Sequence, residues 1–114
     1  MRCITGMAAL FLTCGAASAT TVTIELPGNE TPDIAKVTYA CGERRVTATY
    51  INTEANQFAV VDLGDATVAM VTVLSGSGAR YAGQQYEWWT KGEEATLTDL
   101  RSDKQSPLAC KAIM

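Results

Sequence analysis

The sequence predicts an all-β protein, a small antiparallel β-barrel of about eight short strands with one disulfide. Three observations predict it. Short runs rich in Val, Thr, Ile and aromatic residues recur after residue 20, and these residue types suit a pleated, half-buried surface. Turn-forming residues separate the runs at close spacing, as an antiparallel meander requires. An apolar period of 3.6 is weak over the same stretch, so helix finds little support.

The runs are TVTIEL (21–26), AKVTYAC (35–41), RVTATYI (45–51), QFAVVDL (57–63), ATVAMVTVL (66–74), ARYAG (79–83), QYEWWTK (85–91) and EATLTDL (94–100). Within the third run, Val46, Ala48 and Tyr50 alternate with Thr47, Thr49 and Ile51, a strand with one wetter face. Between the runs fall Gly42-Glu43, 52–56, Gly64-Asp65, Ser75-Gly76-Ser77-Gly78, Gly83-Gln84 and Gly92-Glu93. A chain this small rolls such a meander into a barrel or sandwich, and closure removes exposed edges. The stretch from Pro27 to Pro32 reads as an extended arm or loop before the compact domain.

Residues 1–19, MRCITGMAALFLTCGAASA, are set apart from this fold. Arg2 precedes an apolar run that ends near Cys14, and Ala17-Ser18-Ala19 closes the segment as an A-x-A cleavage site. That is the order of a secretory signal, and the run is shorter than the roughly 20 residues of a membrane span. The expected organisation is therefore a signal peptide at 1–19, an N-terminal arm or first strand at 20–34, and the barrel domain at 35–114. Periplasmic export is the reading adopted. The rival is a lipid anchor on Cys14, but Thr13 and Phe11 are poor matches to the residues that a lipoprotein signal places before its cysteine.

Cleavage after Ala19 removes Arg2, Cys3 and Cys14, and moves the net charge from −3 to −4. Cys41 and Cys110 remain, and an even pair in an oxidising compartment predicts a disulfide. The loop it closes is about 70 residues, for which chain entropy gives about 4 kcal/mol. The bland alternative is two buried thiols.

Composition narrows function. The 114 residues include no histidine, which removes the Ser-His-Asp and Cys-His relays and every imidazole metal ligand. The mature chain has no CxxC redox or metal motif, so neither metal nor cofactor is expected. An acidic chain carries the wrong sign for a nucleic-acid backbone. The sequence reads as a binding module and not as an enzyme, with a homodimer left open.

The most specific segment is SGSGARYAGQQYEWWTKG, residues 75–92. A hairpin turn centred on Ala82-Gly83-Gln84-Gln85 makes paired positions add to 167 or 168, and Ser77 and Lys91 add to 168. Both should emerge side by side at the open end. Gly76 and Gly78 free the backbone to present a small hydroxyl on a thin loop, while Lys91 brings an ammonium with three donors. Such a tip suits a partner that offers carboxylates within a cleft. The geometry is sensitive to a one-residue slip.

These residues carry a resemblance. Ser77-Gly78-Ala79-Arg80-Tyr81 is similar to an SGxxY motif, and Tyr86 through Gly92, YEWWTKG, to YxxWxKG. In this order and at this separation they resemble the bacterial MliC/PliC inhibitors of c-type lysozyme. The resemblance covers roughly 37–110, with the sharp matches between Ser77 and Gly92. It implies a small barrel that blocks the lysozyme cleft, with c-type lysozyme as protein partner. It also implies that Ser77 and Lys91 approach the two catalytic carboxylates. Gly78, Arg80, Tyr81, Tyr86, Trp89 and Gly92 complete the implied lysozyme-binding set. Of these, Tyr81, Tyr86 and Trp89 are expected mainly as barrel packing, and the two glycines as backbone requirements.

Trp88 and Trp89 are adjacent, so a strand sends them to opposite faces, one inward and the other to the outer surface or a partner; the motif fixes Trp89 but not Trp88, whose role is left open. Arg80 is read either as a rim contact or as a solvated strand residue. Arg44, Arg45, Glu93 and Glu94 are read as surface charges at turns. Two other classes compete: a periplasmic glycan-binding module that stacks sugars on Trp88 and Tyr86, and a hydrolase using Glu87 and Glu93. Nothing raises those two acids above an ordinary charged hairpin.

Overall fold

The computed structural model describes residues 19–28, 31–102 and 107–113. Apart from Ala19, the expected signal segment, with Cys3 and Cys14, lies outside the described residues. Eight strands follow one another: β1 (Asp33–Cys41), β2 (Arg44–Asn52), β3 (Gln57–Asp62), β4 (Thr67–Val73), β5 (Ala79–Gly83), β6 (Tyr86–Lys91), β7 (Glu94–Asp99) and β8 (Leu108–Ala112). Each pairs antiparallel with its sequence neighbour, and β8 returns to β1, so the sheet closes as a barrel.

Alternation along the strands builds the interior. In β4, Val68 and Met70 are buried while Thr67, Ala69 and Val71 are exposed. In β2, Val46 and Ala48 point inward with Tyr50 packed behind them. Trp88 is 0% exposed and is the largest fully buried side chain. An eight-stranded barrel encloses just enough room for such side chains to fill it.

The interior carries one polar chain. The Trp88 indole N–H donates to the Tyr50 hydroxyl at 2.8 Å, and the Tyr39 and Tyr50 hydroxyls bond at 2.7 Å. Tyr39 meets Trp88 edge-on at 5.0 Å between centroids, and Tyr50 lies tilted on Tyr81 at 5.7 Å. Burial pushes the ionisation of Tyr39, Tyr50 and Tyr81 above the ordinary tyrosine value. These phenols stay neutral donors and acceptors across the physiological range.

Closure is secured where the ladder is shortest. β1 meets β8 at Tyr39 with Ala112 and at Ala40 with Lys111. The Cys41–Cys110 disulfide crosses this seam, with Cα atoms 4.1 Å apart. The expected disulfide is therefore present.

Two elements differ from the sequence reading. Residues 21–26 form no strand, and β8, which carries no strand signature of its own, takes the eighth place. LACKA has no β-branched residue; the disulfide and the gap between β7 and β1 make it a strand. The second difference is register. The β5–β6 hairpin pairs Gly83 with Tyr86 and Ala79 with Thr90, a constant of 169. The turn is thus Gln84-Gln85, one step later than the sequence suggested. Gly83 is a glycine for another reason, because a Cβ there would strike the Ala69 carbonyl oxygen of β4. Gln84 takes the positive φ, 52°, that two-residue hairpin turns demand.

Candidate functional site

The tip is built by the β4–β5 loop (74–78) and the β6–β7 turn (Gly92-Glu93), which an up-and-down meander brings to the same end of the barrel. Lys91 pairs with Glu94 across that turn. Gly92 opens it at φ +63°, and nothing crowds its missing Cβ, so its requirement is conformational. Gly78 is different. It sits at φ +65°, and a Cβ there would collide with the Thr90 carbonyl oxygen and reach 3.0 Å from the Trp89 Nε1. The loop thus lies directly on β6.

Hydrogen bonds fix the loop backbone from three sides. The Trp89 Nε1–H donates to the Ser77 carbonyl at 2.8 Å. The Ser75 hydroxyl donates to the same carbonyl at 2.6 Å, and it also lies 3.3 Å from the Gly78 carbonyl. The Arg80 guanidinium donates to the Leu74 carbonyl at 2.9 Å and lies 3.8 Å from Glu87 across the hairpin.

The side-chain heads of the tip stand apart from this bracing. Ser77 and Lys91 are both exposed, and neither the Ser77 hydroxyl nor the Lys91 ammonium bonds to a described residue. Together with Trp89, Glu94, Ala95 and Thr96 they line one open depression of about 230 Å³. The expected meeting of Ser77 and Lys91 therefore survives the register slip, which places Lys91 formally opposite Gly78 and not Ser77. Among the described residues no group of three or more Cys, Asp or Glu side chains could hold a metal ion.

The remaining motif residues divide by location. Trp89 is 40% exposed, and its indole braces the tip instead of filling the barrel. The expectation of Trp89 as interior packing is corrected, and Trp88 takes that place. Tyr81 is 5% exposed and belongs to the interior. Tyr86 is half-buried and packs against the core beside the Gln84-Gln85 turn, five residues along β6 from Lys91 and so about 17 Å away. Neither tyrosine is brought to the tip. Arg80 keeps a side chain 35% exposed while its guanidinium braces the loop at Leu74. Glu94, read only as a surface charge, lines the depression; pairing across the Gly92-Glu93 turn would have placed it beside Lys91. The glycan-stacking alternative loses Trp88, which is wholly enclosed, and keeps only the half-buried Tyr86 of its two named aromatics.

Fold and site together define a class of protein: a closed β-barrel that carries a hydrogen-bonded, polar-headed loop at one end. The family model described as membrane-bound lysozyme-inhibitor of c-type lysozyme, MliC, matches residues 39–106, and the chain belongs to that family. The family is described by inhibition and not by catalysis. Two curated relatives, from Cupriavidus necator and Pseudomonas aeruginosa, are described as membrane-bound lysozyme inhibitors of C-type lysozyme. Each is 47% identical over 76 residues. The matches take in 66% and 65% of this chain but only 61% and 60% of the relatives' own lengths.

Among solved structures, the P. aeruginosa MliC in complex with hen egg white lysozyme matches with a TM-score of 0.71 and 40% identity. The match covers 85% of this chain and 100% of that one. PliC from Salmonella typhimurium, a periplasmic lysozyme inhibitor, matches at 0.58 with 28% identity over 70% of this chain and 98% of that one. These relatives are membrane-bound or periplasmic, in keeping with a periplasmic or membrane-associated place for this chain. No helix among the described residues is long and apolar enough to cross a membrane.

Proposed function

We propose that this chain is an exported inhibitor of c-type lysozyme that places its Ser77/Lys91 tip in the enzyme's active-site cleft and so protects bacterial peptidoglycan. The observation that carries the reading is the convergence on one depression of a hydroxyl and an ammonium that bond to no described residue, beside a loop whose backbone is fixed. A relative crystallised with a lysozyme supports the class of partner.

The chemistry follows from the target. A lysozyme-type glycosidase relies on two carboxyl groups, one kept protonated as general acid and the other ionised. A tip within the cleft occupies the glycan's place. An ammonium beside the general acid also favours its ionised form and lowers its pKa, which disarms it as a proton donor. The serine hydroxyl can donate to one carboxylate oxygen or accept from a protonated one, so it fits either state. Inhibition is then noncovalent and competitive with glycan. The net charge of −3, or −4 after export, speeds encounter with a basic enzyme.

The test is a titration of the purified, exported protein against c-type lysozyme acting on peptidoglycan. The expected outcome is complete inhibition that weakens as salt is raised. Hydrolysis that continues unchanged at micromolar inhibitor and low salt would overturn the reading. The position of the export cleavage after Ala19, and whether Cys14 is acylated, are read from the intact mass of the same preparation.

A further inference from the structure

Two features of the described chain lack a partner, and they are complementary. The first is a strand edge. β1 pairs with β2 along its whole length but with β8 only at Tyr39 and Ala40. One more backbone bond joins the Ile113 N–H to the Thr38 carbonyl at 2.9 Å, so Thr38 turns its backbone toward β8. By antiparallel alternation Lys36 and Ile34 turn theirs the same way. No described strand stands beside them.

The second feature is the arm before β1. Residues 21–26 have the alternation of a half-buried strand, with Val22, Ile24 and Leu26 separated by Thr23 and Glu25. Yet they form no strand, and Val22 and Ile24 are 77% and 61% exposed. The arm lies on the wrong side to serve its own chain. Ile24, Leu26 and Pro27 border a groove against the β2–β3 loop, 53–56, whereas the open edge of β1 faces β8.

We propose that the arm of one copy adds as a strand to the open edge of β1 in a second copy, with reciprocal exchange forming a two-fold dimer. An open edge accepts an extended segment through main-chain hydrogen bonds. A second copy is the occupant because each chain carries both the spare strand and the spare edge, so one symmetric exchange satisfies both twice. Seated there, Val22, Ile24 and Leu26 extend the inward face formed by Val37 and Tyr50, which already pack against the core. Thr23 and Glu25 then face water.

Sedimentation equilibrium of the exported protein over a concentration series tests this, independently of any lysozyme. The parent is expected to approach twice the chain mass as concentration rises. Ile24→Asp puts a charge on the arm's apolar face, and Lys36→Pro removes an N–H from the edge. Both positions are exposed in the single chain, and thermal unfolding verifies that each variant remains folded. Each variant should associate at least about tenfold more weakly, since a buried unpaired charge or a lost ladder bond opposes docking. Mixed together they should associate more strongly than either alone, because one keeps its edge and the other its arm. A parent that stays monomeric, an Ile24→Asp chain that associates like the parent, or a mixture with no recovery overturns the proposal.

Discussion

The barrel interior and the loop tip use hydrogen bonds in opposite ways. Inside, the polar atoms of Tyr39, Tyr50 and Trp88 satisfy one another, so the aromatic cluster is complete without any partner. At the tip, Trp89, Ser75 and Arg80 satisfy backbone carbonyls of the loop, while the heads of Ser77 and Lys91 bond to no described residue. A self-sufficient core and an unfinished, immobilised tip are what a binding module needs. Ordering the loop before encounter removes an entropic cost from association. Two adjacent residues of one strand divide the work, Trp88 completing the interior and Trp89 pinning the tip.

The largest effect should come from breaking the interior. Trp88→Ala removes the biggest core side chain and leaves the Tyr50 hydroxyl one donor short, and it should cost about 3–5 kcal/mol in urea unfolding. Removing the Cys41–Cys110 bond by paired substitution to Ala frees the shortest seam, and should cost about 4 kcal/mol by the same measurement. Both changes act on folding, and inhibition should fall only with the folded fraction.

Changes to the tip should act in the opposite sense. Gly78→Ala adds a Cβ against the Thr90 carbonyl as well as a left-handed strain of about 1–2 kcal/mol, whereas Gly92→Ala meets only the strain. Inhibition assays of the two variants should show Gly78→Ala as the more damaging. Trp89→Phe keeps an aromatic ring but loses the bond to Ser77. A loss of about 0.5–1.5 kcal/mol in lysozyme affinity is expected, with a smaller change in unfolding.

The smallest effect concerns pH. The buried tyrosines have folded-state pKa values raised above the unfolded value of about 10. Their contribution is fully present below that pH and is lost as pH rises through the folded-state values. Stability should therefore hold level through neutrality and fall above about pH 10, as read by thermal unfolding across pH.

Much of this contrast was legible in the sequence, and the failures have physical causes. Seven strands follow from alternation and turn residues alone, because each half-buried strand writes its own pattern. β8 was missed because LACKA owes its conformation to the β7–β1 gap and the disulfide, which are tertiary facts. TVTIEL is patterned as a strand, although a strand needs a neighbour and the described residues of the single chain supply none. The register read from sequence is off by one because Gly83 has the look of a turn glycine, while its missing Cβ makes room for the Ala69 carbonyl. The pairing of Ser77 with Lys91 tolerated that slip because the loop folds back onto β6. The inward choice of Trp88 over Trp89 could not come from adjacency, which fixes only that the two face opposite ways.

The central claim is that Lys91 acts on the partner and not on the fold. Its most direct measurement pairs lysozyme inhibition with thermal unfolding for Lys91→Ala. The variant should unfold like the parent, since the Lys91 ammonium bonds to no described residue and its backbone pairing with Glu94 is kept, and should bind lysozyme more weakly by about 2–5 kcal/mol, the cost of deleting one member of a desolvated charge pair. Unchanged potency in a folded Lys91→Ala protein would contradict the account.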